Sequence, residues 1–177
     1  MQFSDRTAIV TGAAKGIGRA VALRLAAGGA RLTLVDRDAE SLAALIAELR
    51  AQGADVLPLI LDIADEAAVM TAIGEARARF GRLDLLVNNA AIGLEKPLLE
   101  TSLADFRRLF AVNLFGLFVM LREAARLMIA DRVDGRIVNL ASVAGLRGSV
   151  GRAAYGATKA ALINLTQIAA VELAAYN

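Results

Sequence analysis

Short, nearly unbroken apolar runs alternate along the chain with alanine- and leucine-rich stretches whose apolar positions recur every three or four residues. "TAIVTG" (7–12) predicts a buried strand, followed by a helix over about 16–28 that stops at Gly28-Gly29. "RLTLVD" (31–36) predicts a second strand, and "AESLAALIAELRAQG" a helix running to a glycine stop. A third strand is expected in "DVLPLILD" (55–62). Pro58 cannot donate to a ladder there, which assigns that strand to a sheet edge. A helix over about 65–80 closes at Gly81, and "LDLLVNNA" (83–90) reads as the fourth strand. One long helix is expected over about 103–130, a fifth strand in "GRIVNLAS" (135–142), and a last helix from about Ala153 to Glu172.

Strand–helix alternation with short connections is the pattern of an α/β fold, a parallel sheet with helices on both faces. Right-handed crossovers and doubly wound order place the first strand centrally, in the order 3-2-1-4-5. Ligands in such folds bind at the carboxyl ends of the strands, so motifs at those ends carry the functional argument.

Composition narrows the classes. With 177 residues, 57% hydrophobic and 21% charged, the chain is expected to form one folded domain over 1–177. The net charge is +2 and the basic residues are scattered, so no nucleic-acid partner is expected. No uninterrupted apolar span of membrane length occurs and the start lacks a signal-peptide pattern, so a cytoplasmic location is expected. There is no cysteine, and the absence of histidine removes the usual general base and the commonest metal ligand. No metal site is expected, and acid–base chemistry falls to Tyr, Lys, Asp or Glu.

"TGAAKGIG" (11–18) closes the first predicted strand and opens the first helix. Gly12, Gly16 and Gly18 remove side chains where a pyrophosphate would approach backbone N–H groups. Asp36 ends the second strand, eighteen positions beyond Gly18. A carboxylate there accepts hydrogen bonds from ribose hydroxyls and repels a 2′-phosphate, which favours NAD. Lys15 and Arg37 would attract that phosphate, so NADP stays open. The alternative for Asp36 is a cap on the helix that starts near Asp38, and Asp62, at the third strand's end, is equally an adenine-edge contact or an N-cap beside Asp65.

Tyr155 and Lys159 in "AAYGATKAAL" share a helix face at i, i+4. A tyrosine hydroxyl is a proton donor and, in reverse, an acceptor, and a nearby ammonium favours the phenolate. Ser142 can hydrogen-bond a substrate oxygen; alone it reads as a turn or cap residue. "TGAAKGIG", Asp62, "NNAA" (88–91), Asn113, Ser142 and "YGATK" (155–159) together resemble the short-chain dehydrogenases/reductases in kind, order and spacing. That resemblance implies a Rossmann-type fold and hydride transfer between NAD(P) and a carbonyl or secondary alcohol. It implies a catalytic set of Asn113, Ser142, Tyr155 and Lys159, with Asn113 holding a relay water within its helix. It places the cofactor against Gly12, Lys15, Gly16, Ile17, Gly18, Asp36, Arg37, Asp62, Ile63, Asn89 and Ala90, as well as Tyr155 and Lys159. Ala91 stands where the family has glycine, a change tolerated unless that residue needs a positive φ.

The resemblance also implies a sixth and a seventh strand and a substrate loop beyond the Tyr/Lys helix, which "ELAAYN" does not supply. The fifth strand is then expected to be an open edge beside exposed apolar helix faces. Two readings follow: an oxidoreductase of a small carbonyl or alcohol substrate, or a non-catalytic nucleotide-binding module retaining the motifs. A homo-oligomer is expected through the helix pair 103–130 and 153–172, with Leu114, Phe118 and Leu121 as candidate outward residues.

Overall fold

The computed structural model describes residues 2–176. Its elements run β1 (Thr7–Thr11), α1 (Gly16–Ala27), β2 (Arg31–Asp36), α2 (Ala39–Ala51), β3 (Val56–Ile60), α3 (Glu66–Phe80) and β4 (Leu85–Asn88). They continue with α4 (Leu103–Phe110), α5 (Leu117–Ala130), β5 (Arg136–Asn139) and α6 (Ala153–Leu173). The five strands form one parallel sheet in the order β3-β2-β1-β4-β5, as the alternation predicts. Pro58 lies in β3 at one edge, where its missing N–H costs no ladder bond.

Alternation along the strands feeds a core on each face of the sheet. Ala8, Val10, Leu32 and Leu34 pack with Leu42, Leu45 and Leu49 of α2 and Ala22 and Leu25 of α1. Ile9, Val35 and Leu86 point the other way, onto Val69 and Ile73 of α3, Leu117 and Met120 of α5, and Leu162 of α6. Every residue of β1 is buried, which is why its sequence reads as an unbroken apolar run.

β2 spans 31–36 as expected, and the other four strands are shorter than expected, because flanking residues leave the ladder to build loops, those at the carboxyl ends among them. The expected single helix over 103–130 is also corrected. Between α4 and α5 the segment Ala111–Gly116 is π-helical, with Asn113 fully buried inside it. Of the candidate outward residues, Leu121 is buried and Leu114 packs against the second core cluster; Phe118 and its neighbour Phe115 are exposed. The other sheet edge, β5, leaves Val138 half exposed. Beside it lies an apolar groove of about 770 Å³ lined by Leu121, Ile137, Ala169 and Leu173. Among the described residues, no helix is long and apolar enough to cross a membrane.

At the amino ends of β1 and β4, Asp84 is 2% exposed and anchors both strands. It accepts from the Thr7 N–H (3.0 Å), from Arg6 Nη1 (2.7 Å) and from Arg82 Nε and Nη2 (2.9 and 2.6 Å). Burial alone would raise this carboxyl, but the bonds from Arg82, Thr7 and Arg6 outweigh it and hold it below the ordinary carboxylate range. A depressed folded-state value contributes stability above the unfolded carboxyl's pKa of about 3.9 and loses it as pH falls further. Asp84→Ala is expected to cost about 2–4 kcal/mol in urea unfolding at pH 7. The same comparison below about pH 3 should show a smaller difference.

Candidate functional site

A cleft of about 350 Å³ opens at the carboxyl ends of β1, β2 and β4. Of the residues predicted to contact the cofactor, all but Gly18, Tyr155 and Lys159 line it, together with Val35, Leu61, Ala91, Ile92 and Val112. The three glycines of the turn serve different ends. Gly12 has φ +63°, and a Cβ there would lie 2.8 Å from the Ala90 Cα. Gly18 is packed behind it, where a Cβ would meet the Gly12 carbonyl oxygen at 2.1 Å. Gly16 also has a positive φ, yet nothing lies within 4 Å of its missing side chain, so it faces open space.

Asn89 locks this turn to β4. Its Nδ2 donates to the carbonyls of Thr11 (2.9 Å) and Gly12 (3.0 Å). Thr11, which sequence reasoning missed, is fully buried, and its hydroxyl oxygen accepts the N–H groups of Asn89 and Ala90, both at 3.0 Å. The available signal was a hydroxyl immediately before the glycine turn. Ala91 does not have a positive φ, so the alanine at this position is unstrained.

α2, α3 and α4 are capped by their own side chains, Asp38, Asp65 and Ser102. α1 is not: Lys15 is its N-cap, no side chain bonds the first-turn N–H groups, and that turn carries no acidic residue. With Gly16 and Ile17 on the cleft wall, these N–H groups fit a phosphate of a bound nucleotide. The cap of α2 is thus Asp38 rather than Asp36, and that of α3 is Asp65 rather than Asp62. Asp36 instead accepts the N–H groups of Ala14 (2.9 Å) and Asp38 (3.0 Å), tying the glycine turn to the end of β2. Asp62 is exposed on the cleft; its carboxylate accepts the Ala64 N–H (3.0 Å) and its carbonyl the Asp65 N–H (3.0 Å). Arg37 is exposed, whereas Lys15 is engaged by Asp38 (2.6 Å).

At the other end, Asn113 clasps the cleft wall. Its Oδ1 accepts the Ile92 N–H (2.8 Å) and its Nδ2 donates to the Ile92 carbonyl (2.9 Å) and to Thr158 Oγ1 (3.3 Å). Thr158 in turn donates to the Tyr155 carbonyl (2.7 Å), so this chain of bonds joins cleft to α6. Lys159 is 2% exposed and donates to the Leu140 carbonyl (2.6 Å), just past β5. It has no carboxylate partner among the described residues, and burial pushes its ammonium below the ordinary lysine value. Its Nζ lies 5.9 Å from the centroid of the Tyr155 ring, which is half-buried.

Ser142 caps a short 3₁₀ turn, Val143–Gly145, its Oγ accepting the Ala144 N–H (3.2 Å). The oxygen is therefore engaged and the hydroxyl proton is free to donate. This turn sits directly on α6. A Cβ at Gly145 would lie 2.6 Å from the Lys159 carbonyl carbon, and one at Gly156 would lie 2.7 Å from the Ala144 oxygen. Tyr155, Lys159, Ser142 and Asn113 are thus brought onto one interlocked unit. No group of three or more His, Cys, Asp or Glu among the described residues could hold a metal ion.

A doubly wound parallel sheet with an uncapped glycine turn at the end of its central strand defines a Rossmann-type nucleotide fold. The chain belongs to the short chain dehydrogenase family, whose family model matches residues 6–177. Sorbitol dehydrogenase of Cereibacter sphaeroides is 40% identical over 173 residues, 98% of this chain and 66% of that protein. Levodione reductase of Leifsonia aquatica is 39% identical over 178 residues, 99% of this chain and 66% of that protein. Among solved structures, an NAD⁺-bound xylitol dehydrogenase matches with TM-score 0.96 at 39% identity, covering 100% of this chain and 68% of that one. The chain spans about two thirds of the length of these relatives.

The Gly145 contact with α6 is directly testable. Gly145→Ala should destabilise by about 2 kcal/mol, because the obstructing atoms are helix backbone. Gly148→Ala, whose added methyl meets nothing within 4 Å, should leave the thermal midpoint nearly unchanged.

Proposed function

We propose that the chain forms the nucleotide-binding and proton-transfer part of an NAD-dependent oxidoreductase acting on a small secondary alcohol or ketone. Family membership and the likeness to an NAD⁺-bound xylitol dehydrogenase support the cofactor class. The names of the relatives, sorbitol, levodione and xylitol enzymes, point to small polyol and ketone substrates.

The observation that carries this reading is the seating of Lys159: a buried ammonium with one carbonyl partner, beside Tyr155 on a helix bonded to the cleft wall. Gly12, Gly16, Ile17 and the open end of α1 would hold the pyrophosphate, and Asp36 and Asp62 would face the adenosine half. Bound there, NAD supplies the hydride acceptor, and NADH the hydride donor for the reverse direction. In reduction, Tyr155 gives its hydroxyl proton to the substrate oxygen; in oxidation it takes that proton back. Ser142, whose Oγ already accepts from Ala144, donates its own proton to the same oxygen and steadies the charge that develops there. Lys159 keeps a positive charge next to the phenol at low local dielectric, which favours the phenolate. Asn113 acts as a positioning residue, holding the Ile92 backbone against Thr158 and α6. Exposed Phe115 and Phe118 support assembly into a homo-oligomer, and a chain without cysteine suits a reducing cytoplasm.

NADH binding followed by nicotinamide fluorescence, with turnover on sorbitol, xylitol and levodione, tests the reading. Tyr155→Phe should retain NADH binding while turnover falls about 10²–10⁴-fold. Binding with no turnover on any alcohol or ketone would instead favour the non-catalytic module. Sedimentation of the purified chain should give a dimer or tetramer; a clean monomer refutes the oligomer.

A further inference from the structure

The β2 end of the cleft carries two cations, Lys15 and Arg37, which by charge alone would invite a nucleotide bearing a 2′-phosphate. The geometry removes one of them from that task. Lys15 Nζ lies 2.6 Å from Asp38 Oδ2, and its ammonium is held above the ordinary lysine value by Asp38 first, with Asp36 and Glu40 adding to the effect. Asp38 is itself fixed, accepting the Ser41 N–H (3.0 Å) and the Ser41 hydroxyl (2.9 Å) as the cap of α2. The same contacts, that of Lys15 foremost, pull its carboxyl down to about 2, so it is a full anion at any working pH. Asp36 is pinned by two backbone N–H groups with its charge on the cleft wall. One ammonium therefore lies among three carboxylates, tethered to the first turn of α2.

We infer that Asp38 is a specificity-determining positioning residue: by holding Lys15 it withholds the glycine turn's one cation from a 2′-phosphate. The cleft is thereby biased toward a dinucleotide with a free ribose 2′-hydroxyl. This rests on the dinucleotide reading above and goes beyond it by assigning part of the selectivity to a residue outside the cleft lining. Asp36 sets the repulsive charge; Asp38 neutralises the attraction that would oppose it.

Asp38→Asn keeps the helix cap, since an amide oxygen also accepts the Ser41 N–H, but removes the anion. Asp38→Ser does the same with a smaller side chain and serves as the second variant. Dissociation constants for NADH and NADPH are measured by nicotinamide fluorescence on the parent chain, both variants and the double variant Lys15→Met/Asp38→Asn. The parent should prefer NADH. Either single variant should bind NADPH about fivefold more tightly, the size expected for freeing an exposed ion-paired lysine, with NADH affinity changed by less than about twofold. The double variant should lose the gain. An NADPH/NADH ratio unchanged in both single variants, or a gain that survives Lys15→Met, overturns the role of Asp38 while leaving the dinucleotide reading intact. A parent that prefers NADPH also overturns it. A parent that binds neither nucleotide overturns the dinucleotide reading, and this inference with it.

Discussion

The crevice depends on main chain approaching main chain more closely than a methyl group permits. The glycine turn meets β4 at Gly12 and folds on itself at Gly18; the 3₁₀ turn after β5 meets α6 at Gly145 and Gly156. Gly116 does the same for the π-helical segment, where a Cβ would lie 2.3 Å from the Ile63 carbonyl oxygen. Rigid backbone contacts of this kind place a side chain more tightly than a packed side chain would, because there is no rotamer left to adjust. They gather Asn89, Asn113, Ser142, Tyr155 and Lys159 from four separate elements. Polar clasps then fix what the contacts bring near: Asn89 on the glycine turn, Asn113 on Ile92, Lys159 on Leu140.

Much of this was legible in the chain because local pattern and global topology agree. Strand β1 reads as buried because both of its faces are covered, and Pro58 announces an edge because only there is its missing donor harmless. The glycines of 11–18 marked the crevice, and the Tyr/Lys spacing marked a shared face of α6. What stayed hidden depends on distance in sequence. No pattern says that Thr11 receives two N–H groups from residues 89 and 90, or that Asp36 turns toward Ala14. The π-helical turn was equally invisible: "AVNLFG" is compatible with an α-helix, and the deformation lies where Gly116 presses on Ile63. Asp38, rather than Asp36, capping α2 is a two-residue ambiguity that spacing alone leaves open.

Lys15 on the crevice wall and Lys159 on α6 show how environment divides one residue type into two instruments. Lys15 is exposed among carboxylates and is held more firmly protonated; Lys159 is buried with one carbonyl and is pushed the other way. The first has its charge cancelled locally, while the second keeps a field that water screens poorly. A third arrangement lies at the opposite end of the sheet, where two arginines compensate the buried Asp84. The Asp84 anchor and the cleft therefore occupy opposite ends of the same strands, with the apolar core between them.

The π-helical segment has a consequence for how this chain tolerates change in length. A turn of that kind takes up more residues than an α-helical turn, so α5 enters the core with its phase already set by residues 111–116. Removing one residue there would let the segment relax to ordinary α-helix with the phase of α5 nearly kept, because the wider turn already holds the extra residue. A deletion within α5 itself has no such outlet: it would rotate the residues beyond it by about 100°, and Ala124 and Met128 would leave the core. Ordinary loops absorb insertions and deletions cheaply; between α4 and α5 this turn can absorb the loss of one residue, whereas one codon fewer inside α5 would misalign a layer of the core.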